Sequence, residues 1–129
     1  MKNANLVDSS GWIEYLTEGA NADFFTPPIR ETENLLISTV CIYEVFKRIL
    51  LELGEDAALQ AVGIMAHGQE IELSRQIAME AALISAERKL AMADSIILAS
   101  AQAYQATLWT QDEHFYGIEG VQYKRKVSV

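Results

Sequence analysis

Short, mostly apolar segments of strand length alternate with longer amphipathic segments along this sequence, and this alternation restricts the fold more than any other feature. The longer segments repeat apolar residues at the three-to-four-residue spacing of helices. The predicted strands are residues 4–8, 34–40, 70–74, 106–112 and 121–127. Strands that alternate with helices are typical of a parallel sheet covered by helices on both faces. We therefore predict an α/β fold with a central, mainly parallel sheet.

The segments between the strands predict six helices. Their expected ranges are 9–17, 22–31, 42–54, 55–68, 75–90 and 93–105. Ser9 or Ser10 is expected to cap the first helix and Ser74 the fifth, and the second is expected to be interrupted or begun at Pro27–Pro28. The lysines of "VQYKRKV" predict an edge strand, because they discourage further pairing. The length fits a single domain spanning residues 1–129.

Composition limits the environment of the chain. Half of the residues are hydrophobic, which favours a sizeable core over disorder. No apolar stretch reaches the roughly 18 residues of a membrane helix, and no apolar signal segment follows Met1, so we expect a cytoplasmic protein without a membrane partner. The one cysteine, Cys41, lies in an apolar segment and is expected to be a small core residue.

The net charge of −8 argues against a protein that simply coats nucleic acid, because such binding needs lysines and arginines to displace counterions. The charge is uneven: residues 1–75 carry 12 acids and 5 bases, whereas residues 76–129 carry 6 acids and 5 bases. Basic clusters lie at Arg88–Lys89 and at Lys124–Arg125–Lys126. Action on nucleic acid stays open if a metal ion offsets a local carboxylate cluster.

Four acidic residues stand where predicted strands end or where the following helices begin. Asp8 and Asp112 end strands, whereas Glu44 and Asp94 lie in the first turn of predicted helices. Each of them alone is explained by a helix cap or by the interaction of an acid with the helix dipole. Sites in parallel sheets lie at the carboxyl ends of the strands. The four acids are therefore expected to meet at one edge of the sheet.

A cluster of carboxylates predicts a bound cation, because carboxylates at short range repel one another and raise each other's pKa. Oxygen ligands without histidine or cysteine select a hard ion, Mg²⁺ or Mn²⁺. Such an ion keeps open positions for phosphate oxygens and for an attacking water. The four acids together thus predict a metal site that acts on a phosphate ester.

Other common chemistries lack their residues in this sequence. There is no Gly-rich phosphate loop and no Gly-x-Ser-x-Gly elbow, so Ser9 is a poor candidate for a nucleophile. Two histidines and one cysteine are too few for a zinc site. His67 is most simply a helix-end residue. His114 follows Asp112 closely enough to border the site, although a surface turn is the simpler expectation.

Three segments carry a family resemblance, namely "LVDSSGWIEYL", "ISTVCIYEVFKRI" and "MADSIILASAQAYQATLWTQDEHF". Together they resemble the PIN domain, and within it the VapC-type toxin ribonucleases of bacterial and archaeal toxin–antitoxin pairs. The resemblance runs over nearly the whole chain, with the segments in the family's order. It implies a three-layer α/β/α sandwich and metal-dependent cleavage of RNA.

The resemblance also implies roles for individual residues. The acids of the metal site are expected to be Asp8, Glu44, Asp94 and Asp112. Asp112 is the least secure of them as a direct ligand. Ser9 is expected to support Asp8 by hydrogen bonding, and Thr110 to line the same edge. Related toxins often have a base shortly before the third acid, which makes Arg88 a possible phosphate contact, although a solvated helix end explains it equally well.

The leading hypothesis from the sequence is a Mg²⁺- or Mn²⁺-dependent endoribonuclease toxin, in which a metal-bound water attacks in line and leaves a 5′-phosphate and a 3′-hydroxyl. By resemblance, structured RNA such as tRNA is the expected substrate and a basic antitoxin segment the expected partner. The apolar segments "CIYEVFKRILLEL" and "AALQAVGIMA" are expected to support a homodimer and antitoxin docking, unless they are ordinary core. The alternatives are a PIN-like module that binds protein or RNA without cutting it and, less favoured, a deoxyribonuclease or flap-type nuclease.

Overall fold

The computed structural model describes residues 3–128. The strands in this range are β1 (Asn5–Val7), β2 (Leu35–Ser38), β3 (Gln69–Ile71), β4 (Thr107–Thr110) and β5 (Val121–Tyr123). The α-helices are α1 (Ser9–Leu16), α2 (Ala22–Arg30), α3 (Thr39–Leu53), α4 (Glu55–Met65), α5 (Arg75–Arg88) and α6 (Met92–Ala103). Two short 3-10 turns lie at Thr32–Asn34 and Glu113–Phe115. The strands and helices follow one another in the predicted order.

The five strands of the described residues form one sheet in the order β3-β2-β1-β4-β5, and every neighbouring pair is parallel. The chain moves outward from β1 to β3 and then returns to β4 on the other side of β1. Right-handed crossovers that reverse direction in this way place helices on both faces of the sheet. The predicted α/β/α sandwich with a central parallel sheet is confirmed, and the last strand lies at an edge.

The central strands are the most deeply buried part of the sheet. Leu6 and Val7 of β1 and all four residues of β2 are buried. Large side chains from the helical layers pack around them, and the largest fully buried ones are Trp12, Phe25 and Phe115. Burying a side chain of this size contributes about 1.5–3 kcal/mol. The carboxyl ends of the central strands are therefore anchored in a packed core.

Cys41 is buried in α3, and its sulfur lies 3.8 Å from the carbonyl oxygen of Val7. Burial raises the pKa of the thiol, so Cys41 stays protonated and unreactive at neutral pH. It is a small core residue, as predicted.

The first helix is capped by Asp8 rather than by Ser9 or Ser10, the predicted caps. The backbone N–H of Gly11 donates to the Asp8 side chain, and α1 begins at Ser9. Asp8 takes this position because it directly follows β1 in an extended backbone conformation, as an N-cap residue does. The residue that ends the first strand therefore also starts the first helix.

Helix α3 begins at Thr39, three residues before the predicted start at Ile42. Ser38 caps it by accepting a hydrogen bond from the backbone N–H of Val40, which ends β2 at the same point. As a consequence, Glu44 lies in the second turn of α3 and not in the first, where it was expected. The helix dipole acts mainly on the first turn, so it does not explain this acid.

The second helix runs without a break through Pro27 and Pro28, contrary to the expected interruption. Proline has a helical φ angle, but it lacks the backbone N–H donor and its ring crowds the preceding turn of the helix. Phe25, Pro28 and Ile29 are buried in the core, and their packing offsets the lost hydrogen bonds. Strand β3 ends at Ile71 and is shorter than predicted, whereas Ser74 caps α5 as expected.

Candidate functional site

Asp8 is buried where β1 ends, and its carboxylate accepts three hydrogen bonds. Oδ1 accepts from the Ser10 hydroxyl at 2.8 Å and from the Gly11 backbone N–H at 2.9 Å, and Oδ2 accepts from the Thr110 hydroxyl at 2.5 Å. The backbone N–H of Asp8 donates to the carbonyl oxygen of Trp109 at 3.1 Å. Both carboxylate oxygens are therefore held in fixed directions between β1 and β4.

Burial raises the pKa of Asp8 to about 6, and the negative charge of Asp112 acts in the same direction. The hydrogen bonds from Thr110, Gly11 and Ser10 oppose this rise, because they favour the ionised carboxylate. At neutral pH the ionised form of Asp8 still predominates, although it is poorly solvated. A buried carboxylate in this state is a favourable partner for a cation.

Thr110, the last residue of β4, connects two of the predicted site acids. Its buried hydroxyl donates to Asp8 and accepts a hydrogen bond from the backbone N–H of Asp112 at 2.9 Å. Thr110 lies at the end of β4, and the supporting role that the resemblance implies for it stays a prediction. A single side chain thus positions Asp8 and the backbone of Asp112 relative to each other.

Asp94, Asp112 and His114 offer one metal-ligand atom each, and these three atoms lie within 4.8 Å of one another. Asp112 Oδ1 accepts from the backbone N–H of His114 at 2.9 Å and lies 2.8 Å from His114 Nδ1. Burial raises the pKa of Asp94, as do the charges of Asp112 and Glu44, whereas His114 lowers it. His114 therefore lies at the site, and its position two residues after Asp112 was the signal for it.

Ser9 contacts Glu44 and not Asp8, the residue that it was expected to support. The Ser9 hydroxyl donates to Glu44 Oε1 at 2.5 Å, whereas the neighbouring Ser10 contacts Asp8. Successive side chains of a helix point about 100° apart. Because α1 begins at Ser9, this side chain faces α3, and Ser10 turns back toward the capping residue.

One open cavity of about 420 Å³ joins all four predicted acids, and we call it the acid cavity. The acids come from the end of β1, from α3, from the first turn of α6 and from the segment after β4. The acids that line it are Asp8, Glu44, Asp94 and Asp112. The cavity lies beside β1 and β4, where the chain reverses its direction across the sheet, which is where parallel sheets bind ligands.

Lys47 and Arg48 of α3 also line the acid cavity, and neither was among the residues predicted for the site. They follow Glu44 by three and four residues, a spacing that places side chains on the same side of a helix. The ammonium of Lys47 lies 5.8 Å from the centre of the Tyr43 ring, and Arg48 forms an ion pair with Glu52. The helical spacing from Glu44 could have identified both residues.

Arg88 is exposed at the end of α5 and does not line the acid cavity. Within residues 3–128, the ion pairs of lysine and arginine side chains include none with the four acids of the cavity. Among the residues that the structure describes, the His114 side chain forms the one ion-pair contact with an acid of the cavity. The four carboxylates thus line one cavity, and none of them forms an ion pair with a lysine or arginine of residues 3–128.

Comparison with known proteins identifies both the fold and the family. The sequence matches the family model described as the PIN domain over residues 6–121. A toxin–antitoxin complex from Klebsiella pneumoniae contains a chain that is 27% identical, with 92% of this chain and 96% of that chain covered and a TM-score of 0.75. No curated protein matches the chain.

Two more distant structures share the fold. DNA-bound VapBC from Salmonella typhimurium is 19% identical over 96% of this chain and 98% of that chain, with a TM-score of 0.75. VapC20 of Mycobacterium tuberculosis, a toxin that cleaves the sarcin–ricin loop, is 14% identical over 90% of this chain and 95% of that chain, with a TM-score of 0.75. No helix among the described residues is long and apolar enough to cross a membrane. Because the family match spans most of its length, the chain belongs to the PIN domain family.

Proposed function

We propose that this protein is a metal-dependent endoribonuclease, the toxin of a type II toxin–antitoxin pair, which hydrolyses RNA with Mg²⁺ or Mn²⁺. The observation that carries the proposal is the convergence of four acids from distant parts of the chain on one cavity. Membership of the PIN domain family supports a nuclease, and the similarity to a chain of the Klebsiella pneumoniae toxin–antitoxin complex supports the toxin assignment.

The residues at this edge of the sheet fit a divalent cation. Three ligand atoms of Asp94, Asp112 and His114 lie within 4.8 Å of one another, and burial together with repulsion from Asp112 and Glu44 raises the pKa of Asp94. A cation relieves that repulsion. We propose that Asp8, Glu44, Asp94 and Asp112 would hold the ion, with His114 as a further donor. The sequence suggested a donor set made of oxygen atoms alone. The imidazole nitrogen of His114 would add a nitrogen donor, which favours Mn²⁺ over Mg²⁺.

A divalent ion bound at these residues supplies positive charge for the scissile phosphate and lowers the pKa of an attacking water. The protein's own contribution is to orient the carboxylates. Thr110 and Ser10 hold the two oxygens of Asp8, and Ser9 holds one oxygen of Glu44. Supporting contacts of this kind typically contribute about 10–100-fold to metal affinity or activity. With a pKa of about 6, Asp8 is a better ligand as the pH rises toward neutrality.

RNA is the proposed substrate, with tRNA or another structured RNA that has an accessible loop as the expected class. VapC20, which shares the fold, is a toxin that cleaves the sarcin–ricin loop. In this chain, Lys47 and Arg48 on the wall of the acid cavity offer positive charge to the phosphates beside the one that is cut.

An antitoxin protein and a second copy of the chain are the proposed protein partners, in the cytoplasm. The antitoxin is supported by the related chain in the Klebsiella pneumoniae toxin–antitoxin complex. The hairpin of α3 and α4 exposes several large apolar side chains, including Leu51 at 74% and Leu53 at 62% exposure. Exposed apolar surface of this kind is typical of protein interfaces.

The direct test is cleavage of a labelled, loop-containing RNA by the wild-type protein and by the Asp8→Asn and Asp94→Asn variants, in Mg²⁺, in Mn²⁺ and in EDTA. We expect no cleavage in EDTA and a loss of about 100-fold or more in both variants. Asp56→Asn is the matched control, because Asp56 is an exposed acid in the first turn of α4 and does not line the cavity.

Undiminished cleavage in both site variants, or cleavage that persists in EDTA, contradicts the proposal. A lack of specific Mn²⁺ binding in a calorimeter, together with a lack of RNA cleavage, points instead to a PIN-like module that binds and does not cut. That outcome would also account for the acidic net charge.

A further inference from the structure

A second cavity adjoins the acid cavity on the side of the C-terminal segment, and we call it the C-terminal cavity. It measures about 440 Å³, and Ser10 and Asp112 line both cavities. Its wall also contains Tyr123, Arg125 and Lys126. The acids therefore lie at the boundary between two cavities rather than at the closed end of one.

The segment that follows β5 is held in place through its backbone. The N–H of Lys124 donates to the carbonyl oxygen of Thr110 at 3.1 Å, so the segment continues alongside the end of β4. The carbonyl oxygen of Arg125 accepts from the side-chain amide of Asn21 at 3.0 Å, and this buried amide also donates to Gln111 at 3.0 Å. The backbone of the segment is thus tied to Thr110 directly and to Gln111 through Asn21, the two residues that directly precede Asp112.

Each of the two cavities combines positive charge with an aromatic ring. Lys47 and Tyr43 line the acid cavity on its α3 side, and Arg125 and Tyr123 line the C-terminal cavity. The ring of Tyr123 packs edge-to-face against Tyr116, with 5.3 Å between the ring centres. Basic groups that follow the phosphates and aromatic rings that stack on bases are the features that bind single-stranded nucleic acid.

The lysines and arginines that could bind RNA phosphates are concentrated at the two cavities. The sequence has only 10 lysines and arginines against 18 acids, yet four of these bases line the cavities on either side of the acids. These four are Lys47, Arg48, Arg125 and Lys126. Acids outnumber bases outside the cavities, so we expect a polyanion to bind across the cavities in preference to the rest of the surface.

We propose that a single-stranded segment of RNA lies across both cavities, with the phosphate that is cut at the boundary between them. On one side its nucleotides contact Lys47 and Tyr43, and on the other they contact Arg125, Lys126 and Tyr123. This inference rests on the proposed ribonuclease function and goes beyond it by naming the residues that hold the strand on each side of the phosphate that is cut. The region that binds is unpaired, because bases in a continuous duplex are not free to stack on tyrosines.

The first experiment measures the salt dependence of RNA binding. A fluorescent single-stranded RNA of about a dozen nucleotides is titrated with protein in Ca²⁺, with a check that it stays intact, at about 50 to 200 mM salt. Each lost phosphate contact reduces the slope of log affinity against log salt by about 0.7, so Arg125→Gln/Lys126→Gln should reduce it by about 1.4. Arg30→Gln/Arg75→Gln is the matched control, since both arginines are exposed and line neither cavity.

The second experiment tests base stacking. Tyr43→Leu and Tyr123→Leu should each weaken binding of the same RNA by about 5- to 150-fold. Tyr104→Leu is the control, because this tyrosine is 45% exposed at the end of α6 and lines neither cavity. Thermal unfolding of each variant shows whether its fold is intact. Tyr43 is 64% exposed, so the result for Tyr43→Leu does not depend on the packing of Tyr123 against Tyr116.

Failure of this inference can be told apart from failure of the proposed function. If the wild type cuts RNA with metal and Asp94→Asn does not, the nuclease assignment stands. The inference is then overturned if Arg125→Gln/Lys126→Gln keeps the full salt slope, or if a perfectly paired RNA binds as tightly as the single strand. The inference is likewise overturned if Arg125→Gln/Lys126→Gln loses affinity for a protein partner while the salt slope of its RNA binding stays unchanged.

Discussion

Thr110 donates its hydroxyl hydrogen to Oδ2 of Asp8 over 2.5 Å, which connects the end of β4 to the end of β1. The same hydroxyl accepts the backbone N–H of Asp112. The hydrogen bond favours the ionised form of Asp8 and so opposes the rise in pKa that burial causes. Thr110 therefore affects both the direction and the ionisation of the carboxylate that we propose as a metal ligand.

Replacement of Thr110 by Val keeps the branched shape and removes the hydroxyl. The pKa of Asp8 should then rise above its value of about 6, since the largest opposing hydrogen bond is lost. A hydrogen bond to a charged group contributes about 1.5–3 kcal/mol, so the pH of half-maximal cleavage should rise by about one unit or more. The measurement is the pH–rate profile. Thr107→Val in the same strand is the control, and an unchanged profile for Thr110→Val would contradict the assignment.

Asp8→Asn should make the metal-free protein more stable at neutral pH, although it removes a proposed metal ligand. The pKa of Asp8 is raised from 3.8 to about 6, so the folded state holds a proton that the unfolded state releases between these values. Stability therefore falls as the pH rises through this window and stays lower above it. The shift corresponds to about 3 kcal/mol at neutral pH, a cost that the neutral asparagine avoids.

Thermal unfolding in EDTA measures this difference. The melting temperature of the variant should exceed that of the wild type at neutral pH. The difference should vanish below pH 3.8, the pKa of Asp8 in the unfolded state. Addition of Mn²⁺ at neutral pH should stabilise the wild type and not the variant. A variant that is less stable than the wild type at neutral pH in EDTA would show that burial does not destabilise the ionised Asp8.

Ser9→Ala should weaken metal binding and cleavage by about 10–100-fold, because the Ser9 hydroxyl orients Glu44. The matched test is a double-mutant cycle with Glu44→Gln. If the two residues act through their hydrogen bond, Ser9→Ala adds little to the loss in a Glu44→Gln background. Additive losses would mean that Ser9 acts elsewhere, for example on Asp8, as the sequence resemblance implied.

His114→Gln should lower the affinity for Mn²⁺ by about 10-fold and change the affinity for Mg²⁺ less, because an imidazole is a better ligand for Mn²⁺ than for Mg²⁺. Calorimetric titration with both ions measures the ratio of the Mn²⁺ affinity to the Mg²⁺ affinity in each variant. His67→Gln is the control, since His67 is exposed after α4 and lines neither cavity. An equal loss for both ions would indicate that His114 acts by holding Asp112 and not as a donor.

Gly11→Ala should destabilise the fold by about 1–3 kcal/mol, because there is no room for a methyl group. A Cβ at Gly11 would lie 2.5 Å from the ring of Phe25 and 2.7 Å from the side chain of Val7. Gly63→Ala in α4 is the control: a Cβ there meets nothing within 4 Å, so this change should stabilise the helix by about 0.5–1 kcal/mol. Denaturant unfolding of both variants gives the comparison, and equal stabilities would contradict the tight packing of α1 on β1.

The alternation of strands and helices predicted the parallel sheet and its helical layers, because the period of apolar residues depends on local backbone geometry alone. The strand-end rule for parallel sheets likewise indicated which acids to group, since it needs only the order of elements along the chain. Helix boundaries were less certain. The start of α3 moved from Ile42 to Thr39 because of the hydrogen bond that Ser38 makes, which the apolar pattern does not show.

The sequence by itself thus determined the fold class, the family and the four acids that face one cavity. The tertiary structure alone decided which side chains from distant parts of the chain meet: Ser9 with Glu44, and Thr110 with Asp8. It also brought the basic C-terminal segment beside the acids through contacts with Thr110 and Asn21, which precede it by 14 and 104 residues. Such pairings depend on how helices and strands from distant parts of the chain pack together. No local pattern of residues encodes the directions that result.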